Sequence, residues 1–344
     1  MEDIYIVDTV FIFIMLLFVI GGAYLMYRYS KRQKNVEAYK GEYASKTLFR
    51  PFRPGMTFSQ KITSFLVSIY FWIIGLAFIG IYVYMISIDL PNTREVIFTF
   101  VAAGAIALAF SFAYAVIMWI IDSREREPLR FVPTLFLLGC IATFISAFAN
   151  DFAETELTAV FGTVIAGAIV ISIAGPVIEE IIKGSGVIVM SFHHEMDDMM
   201  DGILYGFIIG VGFSFMENWG YYTFYSPFEI GLVPWLSLVG LRIFGSGLLH
   251  GVFTGITGGI VGLIRKNKDP NDDKYLPFAV IPAIIVHMAY NTITNLGVLL
   301  QVSGETIIGI LVVFVIFLVW VFSKVIKKAL KHKKNKPLKF MGDD

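Results

Sequence analysis

Long apolar runs constrain the fold of this chain more than any other feature. Nine runs come close to the roughly 20 residues that a helix needs to cross a bilayer. Hydrophobic residues make up 57% of the chain, against roughly 45–50% in soluble domains. No run alternates as a transmembrane strand would, and helices satisfy their backbone polar groups within lipid. We predict an all-α, polytopic transmembrane helical bundle of about nine spans, with the bounds 4–27, 62–88, 95–121, 132–149, 159–192, 202–225, 232–264, 277–300 and 306–328.

Lysine and arginine residues fall on one side of this arrangement. All but three of the 27 lie in four segments that nine spans place together, namely Arg28–Lys61, Arg124–Arg130, Arg265–Lys274 and Lys324–Lys339. Because basic loops stay in the cytoplasm, we predict a multi-pass cell-membrane protein with its N-terminus outside and its C-terminus cytoplasmic. Topology explains the basic segments, so we expect no nucleic-acid partner. The first run lacks a basic segment before it and a small-residue cleavage site, which predicts a retained helix.

Two adjacent carboxylates and a lysine interrupt the fifth run, which is otherwise almost wholly apolar. They are Glu179, Glu180 and Lys183. Charges inside a span are costly and by default mark a functional site. On a helix Lys183 lies three and four residues after the glutamates and can reach either one. Consecutive helical residues point about 100° apart, which predicts one working carboxylate and one that is paired with the lysine.

Polar residues also interrupt the next three spans. They are Glu217 and Asn218 in span six, Arg242 and His250 in span seven, and His287 and Asn291 in span eight. The glutamates and histidines of spans five to eight lie within about four residues of the middle of each span, or about 6 Å. A lone histidine in a membrane is often a helix–helix hydrogen-bond partner. Three glutamates and two histidines at one depth favour a shared site in the C-terminal half.

Two functions fit this set of residues. In hydrolysis, a buried carboxylate takes a proton from water while imidazoles hold a metal or stabilise an oxyanion. In ion-coupled transport, the same groups relay protons near the middle of the membrane. A non-catalytic membrane scaffold is a third interpretation. Composition and spacing do not separate these functions.

The order of the motifs resembles that of a known family, the PrsW family of intramembrane proteases, over about residues 95–300. The motifs are Glu179-Glu180-x-x-Lys183, Phe213-x-x-x-Glu217-Asn218, Arg242 leading to His250-x-x-x-x-Gly255, and His287-x-x-x-Asn291. This family is related to the CAAX prenyl endopeptidases and bacteriocin-processing membrane proteases. The resemblance implies a CAAX-protease-like core and an intramembrane endopeptidase. Its partners would be the lipid bilayer and membrane protein substrates, either single-span or lipid-anchored.

The resemblance also implies residue roles. Glu179 or Glu180 would be the general base that activates water, and Asn291 would donate to the oxyanion. A divalent metal, with zinc slightly favoured, would be held by Glu217, His250 and His287. Glu217 could instead orient a neighbouring group, and the two histidines could instead stabilise the oxyanion. Supporting residues would be Lys183, Asn218 and Arg242.

The predicted loops divide the chain into four parts. They are an N-terminal transmembrane helix with a basic cytoplasmic loop (1–61), spans two to four (62–150), a catalytic transmembrane core (151–300), and a last helix with a basic cytoplasmic tail (301–344).

Overall fold

The computed structural model describes residues 45–88, 93–122, 127–266 and 269–334. Every regular element within those ranges is a helix, which confirms the predicted all-α class. The predicted first span, 4–27, lies outside the described residues, as do most of the basic loop after it and the tail from residue 335.

Eight helices in the described part of the chain are long and apolar enough to cross a membrane, and they correspond to the eight predicted spans from 62–88 onward. They are α1 (Ile69–Ile88), α2 (Arg94–Ile121), α3 (Phe131–Phe161), α4 (Thr163–Met190), α5 (Met199–Phe224), α6 (Leu232–Arg265), α7 (Ile281–Thr294) and α8 (Gly304–Lys334). Helix α7 is long enough to cross only together with the 3-10 segment before it, as the span Asn271–Thr294. Short helices are Ser45–Phe49, Phe58–Leu66, Pro227–Ile230 and Leu296–Leu300, and a 3-10 segment, Pro270–Val280, precedes α7. The chain is therefore a multi-pass membrane protein.

The acidic stretch 150–156 is helical, although the predicted fourth span ends at 149 and the fifth begins at 159. It forms the last part of α3, and Asp151, Glu154 and Glu156 are exposed on it. Alanine and glutamate in this stretch are good helix formers, so the helix continues past the apolar run. A single residue, Gly162, then joins α3 to α4 with φ +77°. That left-handed conformation favours glycine.

Helix α5 forms the centre of the bundle. Almost all of its residues are buried, and it packs against α6, α3 and α2. By contrast, α8 exposes an apolar surface that includes Val313, Ile316 and Phe317. Large exposed apolar side chains are expected where a helix faces lipid rather than water.

Glycines bring α5 and α6 into backbone contact. An added Cβ at Gly202, Gly206 or Gly210 of α5 would collide with a backbone carbonyl of α6. The carbonyl that Gly210 faces is that of His250. Small residues at four-residue spacing allow this approach in membranes. The contact fixes the position of His250 along α5.

We expect the substitution Gly206→Ala to separate α5 from α6, because its new methyl group would overlap the carbonyl of Thr254. Overpacking of this kind costs about 1–3 kcal/mol. Heat-induced unfolding of the protein in detergent measures the loss. The matched control is Gly240→Ala on α6, where a methyl group meets no described atom within 4 Å and helix propensity improves by about 1 kcal/mol. Equal unfolding temperatures for Gly206→Ala and Gly240→Ala would contradict the prediction.

Candidate active site

Ionisable side chains from four helices meet inside the bundle. Helix α4 contributes Glu179, Glu180 and Lys183, α5 contributes Glu217, α6 contributes His250, and α7 contributes His287. The structure thus brings together the glutamates, histidines and lysine that the sequence singled out. Two deformed helical segments precede these residues in the chain. They are π-helical turns at Val170–Ala174 of α4 and Ile243–Gly247 of α6.

Glu180 is the fully paired carboxylate of the adjacent two. It is 0% exposed and lies 2.5 Å from Nζ of Lys183. It also accepts hydrogen bonds from Oγ1 of Thr254 at 3.3 Å and from Nδ1 of His287 at 3.0 Å. Because a carboxylate accepts, Nδ1 of His287 carries the proton of that bond. The other ring nitrogen, Nε2, is then left with its lone pair.

Glu179 is the carboxylate that faces open space. Its Oε1 accepts a hydrogen bond from the amide of Asn150 at 3.4 Å. Its Oε2 is buried but forms no hydrogen bond with any residue in the described ranges. The nearest charged or imidazole groups to Oε2 are Nζ of Lys183 at 3.7 Å and Nε2 of His287 at 3.9 Å. Glu179 therefore has a carboxylate oxygen available for chemistry, and Glu180 does not.

Lys183 connects the two halves of the site. It is 0% exposed, and its Nζ lies 3.0 Å from Nδ1 of His250 and 4.2 Å from the centre of the Phe213 ring. An ammonium group can only donate, so Nδ1 of His250 accepts. Nε2 of His250 then donates to Oε2 of Glu217 at 3.0 Å. The lysine thus sets which ring nitrogen of His250 holds the proton.

Arg242 holds Glu217 on the far side of His250. One guanidinium nitrogen donates to Oε2 of Glu217 at 2.8 Å, and another donates to Oδ1 of Asn218 at 2.7 Å. The guanidinium also stacks 3.6 Å above the ring of Tyr221. A planar cation with several donors suits this combination of contacts. Glu217 is therefore fixed in place by two positively polarised partners.

Asn291 hydrogen-bonds to the backbone of α4 rather than to the acids and imidazoles of the site. Its amide donates to the backbone carbonyl of Ile171 at 3.0 Å, within the π-helical turn of α4. Four residues later, Asn295 donates to Oγ of Ser172 at 3.2 Å. A π-helical turn interrupts the regular hydrogen-bond ladder of a helix. These two amides brace the turn that precedes Glu179 and Glu180.

A cavity of about 380 Å³ borders the site and is partly open to its surroundings. Glu179 and Glu217 line it, and aromatic residues form much of its surface. Three further polar residues on its wall come from α3, namely Thr143, Ser146 and Asn150. None of these three α3 residues is among the site residues predicted from the sequence. Their spacing of three and four residues in an apolar run places them on one helix face, and this spacing could have identified them.

The donor atoms suit a divalent metal ion in part. A carboxylate oxygen of Glu179 and one ring nitrogen each of His250 and His287 lie within 4.8 Å of one another. Carboxylate and imidazole are a ligand set that such ions use. Oε2 of Glu179 forms no hydrogen bond with a described residue, although Nζ of Lys183 lies 3.7 Å away. His250, however, would first have to give up its bond to Lys183 or to Glu217. Glu217 is engaged with Arg242 and His250 instead.

The fold and the site define a polytopic helical membrane protein whose glutamates and histidines converge beside an internal cavity. A sequence profile of the family described as PrsW family intramembrane metalloprotease matches residues 127–321, more than half of the chain. The chain therefore belongs to the PrsW family.

One curated relative is Protease PrsW of Geobacillus kaustophilus (strain HTA426), which is 32% identical over 98 residues. The match covers 28% of this chain and 41% of the relative, so it spans about two fifths of the relative's length. No solved structure matches the chain.

We expect Lys183→Met to destabilise the protein strongly, because it leaves the carboxylate of Glu180 buried without its cation. Breaking a buried ion pair from one side costs about 3–5 kcal/mol. The double substitution Lys183→Met with Glu180→Gln should recover part of the loss, since it removes the uncompensated charge. Thermal unfolding of the single and double variants measures this coupling. Lys324→Met, at an exposed position on α8, is the control. The interpretation would be contradicted if the double variant lost as much thermal stability as the sum of the losses caused by the two single substitutions.

Proposed function

We propose that this chain is an intramembrane endopeptidase that hydrolyses peptide bonds of membrane protein substrates, with Glu179 as the general base. The observation that carries the proposal is that Glu179 lines an open cavity while its Oε2 forms no hydrogen bond with a described residue. A base must reach its water before its pKa matters. Of the two adjacent glutamates, this condition favours Glu179. The carboxylate of Glu180 already interacts with Lys183, His287 and Thr254.

In this proposal the other residues position the reacting groups. Glu180 orients the His287 ring through Nδ1, so that Nε2 faces the space beside Glu179. Lys183 and Glu217 hold His250 from its two sides. Glu179 takes a proton from water as the water attacks the peptide carbonyl, and it then returns a proton to the leaving amine. Nε2 of His287 holds a lone pair, so it accepts a hydrogen bond from the attacking water and orients it toward the carbonyl.

Asn291 has a structural role in this proposal, in contrast to the oxyanion donor that the family resemblance implies. Its amide already donates to the carbonyl of Ile171. It would therefore support the π-helical turn before Glu179.

The family description favours a divalent metal, and as the alternative to Glu179 acting as the base, zinc would be held by Glu179, His250 and His287. When bound, such an ion would polarise the peptide carbonyl or lower the pKa of water. A carboxylate that binds an ion is a weaker base, so the two roles of Glu179 are alternatives. If Glu179 were a zinc ligand, the other carboxylate that lines the cavity would be Glu217. The sequence-based set of Glu217, His250 and His287 is the competing ligand set.

Ion-coupled transport is the second candidate. The observation that favours it is the interruption of α6 at Gly245, with φ −91° and ψ −109°, close to the buried charges. Discontinuous helices near ion-binding sites are a feature of transporters. Detergent solution separates the two functions, because it contains no second compartment. Cleavage by the purified protein in detergent supports hydrolysis.

We expect Glu179→Gln to reduce cleavage of a purified single-span membrane protein by about 100-fold or more, the contribution typical of a general base. Thermal stability should change little, because Oε2 of Glu179 forms no hydrogen bond to a described residue. Glu180→Gln should lower both activity and stability. The control is Glu154→Gln, at an exposed site on α3. Wild-type cleavage by the Glu179 variant would end the proposal.

We expect purified wild-type protein to contain about one zinc ion per chain, as one set of three protein ligands would hold. Chelation should remove activity, and added zinc should restore it. Metal analysis of Glu179→Gln and Glu217→Gln then tells the two ligand sets apart, since the variant that loses zinc has lost a ligand. Full activity in metal-free protein would reject the metal-assisted form and leave Glu179 as the base.

The distribution of basic residues supports an N-terminus outside and a C-terminus in the cytoplasm. In this orientation the cavity residues Asn150 and Tyr225 lie toward the outer side of the membrane. We expect an Asn150→Cys variant to react in intact cells with a membrane-impermeant thiol reagent. Background labelling of the native protein should be low, because its one cysteine, Cys140, is buried. If the Asn150→Cys variant reacts only after the cells are permeabilised, position 150 faces the cytoplasm and the proposed orientation is wrong.

A further inference from the structure

Two polar side chains of α3 lie on the cavity wall with unused hydrogen-bonding atoms. Ser146 is 1% exposed, and its hydroxyl finds no partner among the residues that the structure describes. Asn150 donates its amide to Glu179, while its buried Oδ1 has no partner in the same ranges. Both residues line the cavity that Glu179 and Glu217 also line. Buried polar groups without partners are costly, so their retention calls for a physical explanation.

A peptide bond within a membrane helix is not accessible to hydrolysis until the helix unwinds. Unwinding frees backbone N–H and C=O groups that were paired within the helix. In a membrane each of these freed groups needs a new partner. A cavity that accepts an unwound segment must therefore offer both donors and acceptors. Ser146 offers a hydroxyl donor, and Asn150 offers a carbonyl acceptor.

We propose that Ser146 and Asn150 bind the backbone of the unwound substrate segment, with Ser146 donating to a carbonyl and Oδ1 of Asn150 accepting from an amide. This inference rests on the proposed hydrolysis at Glu179. The two residues are four apart on α3, which places them about 6 Å apart along the helix. Alternate residues of an extended peptide repeat about every 6.6 Å. The spacing therefore suits an extended segment that runs along α3.

Asn150 also links substrate binding to the position of the base. Its amide holds Oε1 of Glu179 at 3.4 Å while Oδ1 is free for the substrate. A peptide bound at Oδ1 would fix the Asn150 side chain, and through it the Glu179 carboxylate. Asn150 is thus a positioning residue as well as a substrate ligand. Ser146 has no such contact with Glu179.

The cavity also offers an aromatic surface for substrate side chains. Three residues of α5 and the residue that follows it contribute to this surface, namely Phe213, Tyr221, Phe224 and Tyr225. An extended peptide points alternate side chains to opposite sides. One set would face these rings while the backbone groups meet α3. The cavity therefore has a polar wall for the backbone and an aromatic wall for side chains.

Kinetics with a purified single-span membrane protein in detergent tests the binding role. Loss of one hydrogen bond of about 1 kcal/mol predicts that Ser146→Ala raises KM about fivefold. Asn150→Ala should raise KM and also lower kcat, because it releases Glu179. The matched control is Ser111→Ala, a buried serine of α2 outside the cavity lining, which should leave both constants unchanged. A wild-type KM for Ser146→Ala would overturn the inference.

Photo-cross-linking gives a readout that does not depend on cleavage. A photo-reactive amino acid replaces Ser146 in a Glu179→Gln background, and the probe is a biotin-labelled synthetic single-span peptide. The control places the same amino acid at Phe148, an exposed position on another face of α3. We expect several-fold more adduct from position 146. Equal adducts at both positions would overturn the inference.

These measurements separate the inference from the function on which it rests. If cleavage depends on Glu179 but Ser146→Ala has a wild-type KM and both positions give equal adducts, only the substrate-binding role of α3 is rejected. Cleavage that persists in Glu179→Gln rejects the proposed base, whatever the adducts show.

Discussion

The buried ion pair between Lys183 and Glu180 is the interaction on which the rest of the site depends. Both side chains are 0% exposed, and their charged atoms lie 2.5 Å apart. Neither charge could remain inside a membrane bundle without the other. Lys183 then donates to His250, and Glu180 accepts from His287. One ion pair therefore orients imidazoles from two other helices.

The two adjacent glutamates differ because a helix turns them toward different surroundings. Consecutive residues point about 100° apart, so Glu180 enters the packed interior while Glu179 borders the cavity. The chemical groups are identical, and burial and partners alone distinguish them. The same division extends to the histidines. His250 has both ring nitrogens engaged, whereas Nε2 of His287 faces Glu179 without a hydrogen bond.

Backbone geometry sets the positions of these side chains. Glycines on α5 allow α6 to approach closely, which brings His250 beside Glu217. The π-helical turns in α4 and α6 come shortly before the site residues in each helix. Such turns are frequent at functional sites because they redirect the helix that follows. Asn291 and Asn295 brace the first of them.

The sequence by itself determined the all-helical class, the approximate bounds of the eight spans that the structure describes, and the residues that converge. It could do so because lipid forces backbone hydrogen bonds into helices and makes buried charges conspicuous. Only the tertiary structure decided which glutamate faces the cavity, what Asn291 contacts and which part α3 has in the site. Those outcomes depend on helix rotation, on π-helical turns and on contacts between residues distant in the chain. Ser146 and Asn150 are uncharged. Their spacing places them on one helix face, but only the cavity beside that face distinguishes them from ordinary polar residues of a membrane helix.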